Sequence, residues 1–182
     1  SGTFFACEQA GVWPDFLCLS KGISGGYLPL SLVMTRDNVF QAFYDQDVTR
    51  GFLHSHSYTG NPLACRAALA TLDIFDEDDV LNANRRRAGE LTKALRPLAE
   101  HPRARHFRNR GMIWAFDAQC STPRQRAGFS RNYFTAALRR ELLLRPIGNT
   151  VYLMPPYALG DEEIHHLASR ALAVFDEVLA DA

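Results

Sequence analysis

The sequence predicts an α/β protein built in two parts, and three observations carry that expectation. Two short apolar runs, Phe16–Leu19 and residues 31–34, flank the glycine-rich stretch 21–26 and read as strands around a turn. Asn61-Pro62 opens an alanine-rich stretch with helical spacing. Beyond an acidic corner at residues 76–79, three amphipathic helical patterns are interspersed with three strand-like runs. The corner separates a first part, residues 1–78, from a small α+β domain, residues 79–182.

Taken in order, residues 16–19 form a buried-type strand and residues 31–34 a second. Between them, Lys21-Gly22-Ile23-Ser24-Gly25-Gly26 is too glycine-rich for regular structure. Thr35-Arg36-Asp37 starts a short helix to about Tyr44, and a polar loop then leads to residues 51–60. Asn61 suits an N-cap and Pro62 a first helical position, and Ala64, Ala67, Ala68 and Ala70 allow the helix over 63–75 to pack closely. A longer helix over 80–98 carries Leu81, Ala88, Leu91, Leu95 and Leu98 on one face. Residues 111–116 read as a strand, and residues 129–142 as a helix with Phe134, Leu138 and Leu142 inward. Residues 143–145 and 151–154 flank a turn at Gly148-Asn149. After Pro155-Pro156, Asp161 caps an amphipathic helix through Leu179 that carries His165 and His166 on its face. No internal repeat is evident.

Composition narrows the function classes. The chain has 182 residues, 47% of them hydrophobic and 22% charged, with 20 Lys plus Arg balanced by 20 Asp plus Glu. Zero net charge argues against a general nucleic-acid or membrane-surface binder. No apolar run approaches the ~20 residues that span a bilayer, and residues 1–5 lack the form of a signal peptide. These readings point to a cytoplasmic protein. The chain opens within a turn-and-strand pattern, so it is expected to be the C-terminal portion of a larger protein. Cys7, Cys18, Cys65 and Cys120 form no Cys-x-x-Cys pair and are expected as buried free thiols.

Four places have the residues for chemistry. Lys21 is one of only two lysines, with Lys93, against 18 arginines. It follows an apolar strand and precedes Gly22, Gly25 and Gly26, which permit close backbone approach of a planar cofactor. A lysine desolvated there can form a Schiff base with an aldehyde; the alternative is an exposed loop lysine. Residues 54–62 place Ser55, Ser57, Tyr58 and Thr59 ahead of a helix start, which suits either a phosphate seat or a plain capped loop. His54 and His56 have no third metal ligand at useful spacing. Arg145 lies in the apolar run 142–146 and calls for an anionic partner, either a structural acid or a substrate carboxylate. Residues 80–110 carry Lys93 and eight arginines against Glu90 and Glu100, a local charge of +7. Without interleaved aromatics this stretch reads as a solvated helix face and connector rather than a nucleic-acid patch.

The tract 14–30, Pro-Asp-Phe-Leu-Cys-Leu-Ser-Lys-Gly-Ile-Ser-Gly-Gly-Tyr-Leu-Pro-Leu, with Phe5 and Glu8 ahead of it, resembles the lysine signature of class III PLP-dependent aminotransferases. Residues 54–65, His-Ser-His-Ser-Tyr-Thr-Gly-Asn-Pro-Leu-Ala-Cys, are similar to the phosphate-loop segment of that family. Arg145-Pro146-Ile147-Gly148 and Val151 to Tyr157 resemble the branch of the family that serves biotin synthesis.

The resemblance implies a fold-type I transferase, here the end of the large PLP domain followed by the small domain. It implies pyridoxal 5'-phosphate as coenzyme and Lys21 as the Schiff-base lysine and proton shuttle. Ser57 stands where the family has a phosphate-binding threonine, supplied across the interface of a homodimer. His56 replaces a proline and is expected to offer its backbone N–H to the phosphate. Ser55 replaces a glycine that touches the keto acid, Arg145 matches the carboxylate-binding arginine, and Tyr152 is expected as a pocket wall. The implied reaction is ping-pong transfer of an amino group from S-adenosylmethionine to 7-keto-8-aminopelargonate. The implied partners are thus a small amino donor and a keto acid, with no nucleic acid and no membrane. The aspartate that pairs with the pyridinium nitrogen is expected upstream of Ser1, and Asp15 is not that residue. The 182-residue chain by itself is therefore expected to be inactive. An ω-amino acid:pyruvate or diamine aminotransferase, and a non-catalytic self-associating fragment, are the rival readings.

Overall fold

The computed structural model describes residues 2–180. The chain divides into two compact units, Phe5–Val80 and Leu81–Ala182, the latter joined by Ser1–Phe4.

The first unit opens with α1 (Ala6–Ala10), a helix that the strand-and-turn reading of this region did not contain. Glu8 bonds back to the Phe5 N–H, and Gly11 ends the helix in the left-handed conformation at φ 64°. β1 (Phe16–Leu19) pairs antiparallel with β2 (Leu32–Thr35), with Phe16 opposite Thr35 and Leu19 opposite Leu32. Between them, Lys21–Ser24 is a 3₁₀ turn and not the irregular loop expected from its glycines. Gly25 and Gly26 supply the positive φ that closes it, leaving the preceding residues free to wind. α2 (Asp37–Gln41) stops short of the expected Tyr44. α3 (Pro62–Glu77) begins as the sequence requires, with Asn61 Oδ1 accepting from the N–H groups of Leu63 at 3.0 Å and Ala64 at 3.3 Å. This unit holds little core: Ser24 and Ala64 are buried, whereas Trp13, Val33, Phe52, Leu53 and Leu69 are exposed.

The second unit contains the hydrophobic core. The expected helix over 80–98 is two helices, α4 (Val80–Ala94) and α5 (Arg96–Ala99). Pro97 has no N–H to donate to the Lys93 carbonyl, and the helix is interrupted at Leu95. Leu91, Leu95 and Leu98 are still buried.

The arginine-rich connector is in fact a strand. β3 (Ala104–Arg110), β4 (Ile113–Ala118) and β5 (Thr150–Leu153) form an antiparallel sheet in that spatial order. Residues 143–145 are not a strand; Ile147 and Thr150 make an isolated bridge at the turn that leads into β5. Alternation along β4 and β5 buries Trp114, Phe116, Ala118, Val151 and Leu153.

α6 (Pro123–Arg139) starts at the Thr122 cap and ends before Leu142. Its inward face is Phe129, Tyr133, Ala136 and Ala137; Phe134 is half-buried and Leu138 exposed, contrary to the expected stripe. Leu142 is buried but lies beyond the helix. α7 (Asp161–Ala180) buries Ile164, Ala168, Ala171, Val174, Phe175 and Val178. Asp161 is its first helical residue rather than its cap; Gly160 precedes it, and Glu163 Oε2 accepts the Gly160 N–H at 3.0 Å.

Side-chain bonds lock the layers together. Trp114 Nε1 donates to Thr92 Oγ1 at 2.9 Å, and the Tyr133 hydroxyl donates to the Ala171 carbonyl at 3.2 Å. Burial pushes the Tyr133 phenol far up, so it stays protonated and keeps donating. All four cysteines are free, but none is buried as expected: Cys18 and Cys65 are exposed, and Cys7 and Cys120 are half-buried.

Candidate active site

Lys21 is the first residue of the 3₁₀ turn that follows β1, with a positive φ of 53°. A non-glycine residue in that region is strained, typically by about 1–3 kcal/mol. The turn is fixed from three sides. The Ser20 hydroxyl donates to the Leu30 carbonyl at 3.3 Å, and the buried Ser24 hydroxyl donates to the Leu28 carbonyl. Gly25 faces α3, where an added Cβ would lie 3.5 Å from Thr71 Oγ1. Lys21 itself is exposed and makes no hydrogen bond or ion pair among the described residues. Desolvation of the amine, the route to reactivity expected from the sequence, is therefore not supplied within this chain.

The Asp15 carboxylate pairs with Arg36 at 3.2 Å, and the Asp15 carbonyl accepts from Thr35 Oγ1 at 2.9 Å. That residue is committed to holding the β1–β2 hairpin.

Residues 54–60 form an exposed loop leading into α3. His56 does not offer its backbone N–H freely, because that group donates to Thr59 Oγ1 at 3.0 Å. Its ring Nδ1 accepts the Tyr58 N–H at 3.1 Å, and its carbonyl accepts the Thr59 N–H at 2.9 Å. Nor does the helix start offer free donors: Pro62 has none, and Asn61 takes those of Leu63 and Ala64. Ser57 is different. Its N–H and hydroxyl have no partner among the described residues, at the apex of a turn whose neighbours are satisfied. Ser55 is likewise exposed and unbonded.

Arg145 and Tyr152 are brought together in the second unit, where they line one cleft of about 340 Å³. Its walls are mostly apolar, including Leu143, Leu144, Met154 and Leu167. Alternation along 142–147 buries Leu142, Leu144 and Pro146 and exposes Leu143, Arg145 and Ile147. Arg145 is thus exposed, so burial does not compel a partner as the apolar run suggested. It also has none: no acidic side chain pairs with its guanidinium among the described residues. Sequence reasoning missed Glu163 and His166, which line the same cleft from α7. Their spacing of three residues after a proline stop was the available signal.

A PLP-type coenzyme requires an amine for its aldehyde and hydrogen-bond donors for its phosphate. The unpartnered Lys21 amine and the unpartnered Ser57 N–H and hydroxyl are groups of those kinds, so the residues present fit it.

Residues 1–175 match the family described as aminotransferase class-III. The chain is 44% identical over 183 residues to the adenosylmethionine-8-amino-7-oxononanoate aminotransferase of Helicobacter pylori, covering 98% of this chain and 41% of that protein. It is 36% identical to the protein of the same name from Synechococcus elongatus, covering 98% of this chain and 42% of that protein. Among solved structures, the namesake from Methanocaldococcus jannaschii superposes with a TM-score of 0.83 at 32% identity, over 97% of this chain and 42% of that one. A PLP-bound amine transaminase from an uncultivated Pseudomonas species superposes at 0.84 and 33% identity, over 98% of this chain and 42% of that one. The chain thus spans about two fifths of the length of these relatives and has the fold of the matching part of the PLP transaminases. It belongs to the class III aminotransferase family.

Proposed function

We propose that the intact protein transfers the amino group of S-adenosylmethionine to 7-keto-8-aminopelargonate, with pyridoxal 5'-phosphate as coenzyme, as a cytoplasmic homodimer. The observation that carries the reading is the unpaired Arg145 guanidinium at an apolar-walled cleft that also holds Tyr152. Such a cleft suits an aliphatic chain ending in a carboxylate, which the planar guanidinium grips through two parallel hydrogen bonds. The relatives named above support the same substrate class.

Lys21 would hold the coenzyme aldehyde through Nζ until the donor amine displaces it, and its freed amine would then carry the proton from the donor carbon that bears the nitrogen to the coenzyme carbon that bore the aldehyde. Ser57 donates its N–H and hydroxyl to the phosphate of the neighbouring subunit's site, while His56 holds the loop. When bound, the coenzyme supplies the electron sink for that proton movement. Arg145 orients the keto acid by its far end, Tyr152 and the leucines keep water off its chain, and Ser55 borders it.

The test is steady-state turnover of the intact protein with a panel of amino donors. Activity with S-adenosylmethionine is expected, with Lys21→Ala inactive and Arg145→Ala raising KM for the keto acid about tenfold or more. Turnover with ω-amino acids or diamines in place of S-adenosylmethionine would favour the second reading, which the likeness to the amine transaminase supports.

A further inference from the structure

The proposed amino transfer gives the arginine-rich stretch no part, yet the fold gathers some of it around a cleft of its own. This cleft, about 410 Å³, lies where β4 ends and β5 begins, away from the Met154 end that borders Arg145. Arg105 and His106 reach it from β3, Asp117 and Cys120 from β4 and the chain beyond, Arg126 from α6 and Thr150 from β5.

The geometry is specific. β3 and β4 lose register between Arg105 and Arg108, and His106 sits in this bulge at a positive φ of 51°. Bulges of this kind re-aim side chains. Here the bulge brings His106 Nδ1 to 2.9 Å from Asp117 Oδ2. The other oxygen, Oδ1, accepts the Thr150 hydroxyl at 2.7 Å and lies 3.5 Å from Arg108. An ionised carboxylate only accepts, so His106 donates from Nδ1 and turns its Nε2 edge elsewhere. The acid of the cleft is therefore fully engaged.

The bases are not. The Arg126 guanidinium makes no hydrogen bond or ion pair among the described residues. Arg105 meets only main-chain carbonyls, those of Pro102 and Ala104, through a single nitrogen, Nη1. Of the other arginines nearby, Arg103 is spent on Gln119, Ser121, Gln125 and Leu179, and Arg108 on the His106 carbonyl and Asp117. Two guanidiniums without an acid, beside a carboxylate already engaged by His106, Thr150 and Arg108, form a site for a compact dianion.

We infer that this cleft binds a small phosphate-bearing molecule, its dianion held by Arg105 and Arg126. The site is independent of the coenzyme and of amino transfer. Its fork-shaped donors favour the tetrahedral, doubly charged phosphate over a monocarboxylate.

The experiment is an NMR titration of the whole chain with inorganic phosphate at constant ionic strength, following the arginine Nε–H groups, the His106 ring and the Thr150 amide. Saturable shifts at Arg126, His106 and Thr150 are expected, with acetate giving no saturation. Arg126→Gln alters an exposed side chain on α6 and is expected to weaken phosphate about tenfold or more, with the amide spectrum otherwise retained. Arg110→Gln, on β3 with Arg105 but outside the cleft, is expected to change nothing. Non-saturating shifts, or equal losses from Arg126→Gln and Arg110→Gln, would overturn the site in favour of diffuse charge. A single-stranded oligonucleotide binding more tightly than phosphate, and engaging Arg108 and Arg110, would overturn it in favour of a nucleic-acid surface.

Discussion

Arg103 Nη1 donates to the carbonyl of Leu179 at 3.0 Å, joining the start of the sheet to the last turn of α7. The same guanidinium serves the Gln119 carbonyl at 3.0 Å, Ser121 Oγ at 2.8 Å and Gln125 Oε1 at 2.9 Å. One planar group thus ties together two helix ends and the connection between β4 and α6. A cation at the C-terminal end of α7 also opposes the helix dipole. Arg103→Ala is expected to cost about 2–3 kcal/mol, read as a lower urea midpoint, since several acceptors lose a charged donor together. Arg103→Lys is expected to recover less than half of that loss, because a point charge cannot fork to four acceptors.

Phe116 is fully buried on the core face of β4 and meets the Phe175 ring edge-on, with centroids 5.0 Å apart. Phe116→Ala is expected to destabilise the second unit by about 3–5 kcal/mol, from lost transfer energy and the cavity left behind. Thermal unfolding followed by the fluorescence of the buried Trp114 reads this directly.

Asp117 gives a pH signature. The Thr150 hydroxyl first, then His106, hold its carboxyl below the ordinary aspartate value of 3.8, and the charge of Arg108 adds to this. A lowered folded-state value means that the stability is present above pH 3.8 and is lost as pH falls through the lower folded value. Asp117→Asn is therefore expected to destabilise the fold at neutral pH by about 1 kcal/mol. Denaturation curves of the two proteins should converge in acid below the ordinary aspartate range.

At the other end of the chain, Asn61→Ala removes the acceptor for two N–H groups of α3 and is expected to cost about 1 kcal/mol. The loss should appear as faster amide exchange at Leu63 and Ala64. Exchange in α6 and α7 should be unchanged.

Local signals in the sequence were legible where the chemistry is local. Asn61-Pro62 specifies its helix start because cap and ring act within one turn, and β1 reads from four apolar residues bounded by turn formers. β3 was not legible: five of its seven residues are Arg, His or Asn, and only Ala104 and Phe107 turn toward the core. An edge strand so polar has no period-two pattern to read. Pro97 is the local signal for the split after Ala94, and the leucine stripe runs through it unbroken.

At the candidate site, Lys21 stood out through the scarcity of lysine, and Arg145 through its apolar neighbours. That Arg145 is exposed, that His56 spends its N–H on Thr59, and that His106 meets Asp117 eleven residues away all depend on turn closure and strand register. Composition carries neither.

Lys21 is the residue we propose to hold the coenzyme aldehyde. Incubating the chain with pyridoxal 5'-phosphate, reducing with borohydride and mapping lysine-containing peptides by mass spectrometry tests it directly. With only Lys21 and Lys93 present, modification concentrated at Lys21 is the expected result, set by the preformed 3₁₀ turn. Equal modification of both lysines, or preference for Lys93, would contradict it.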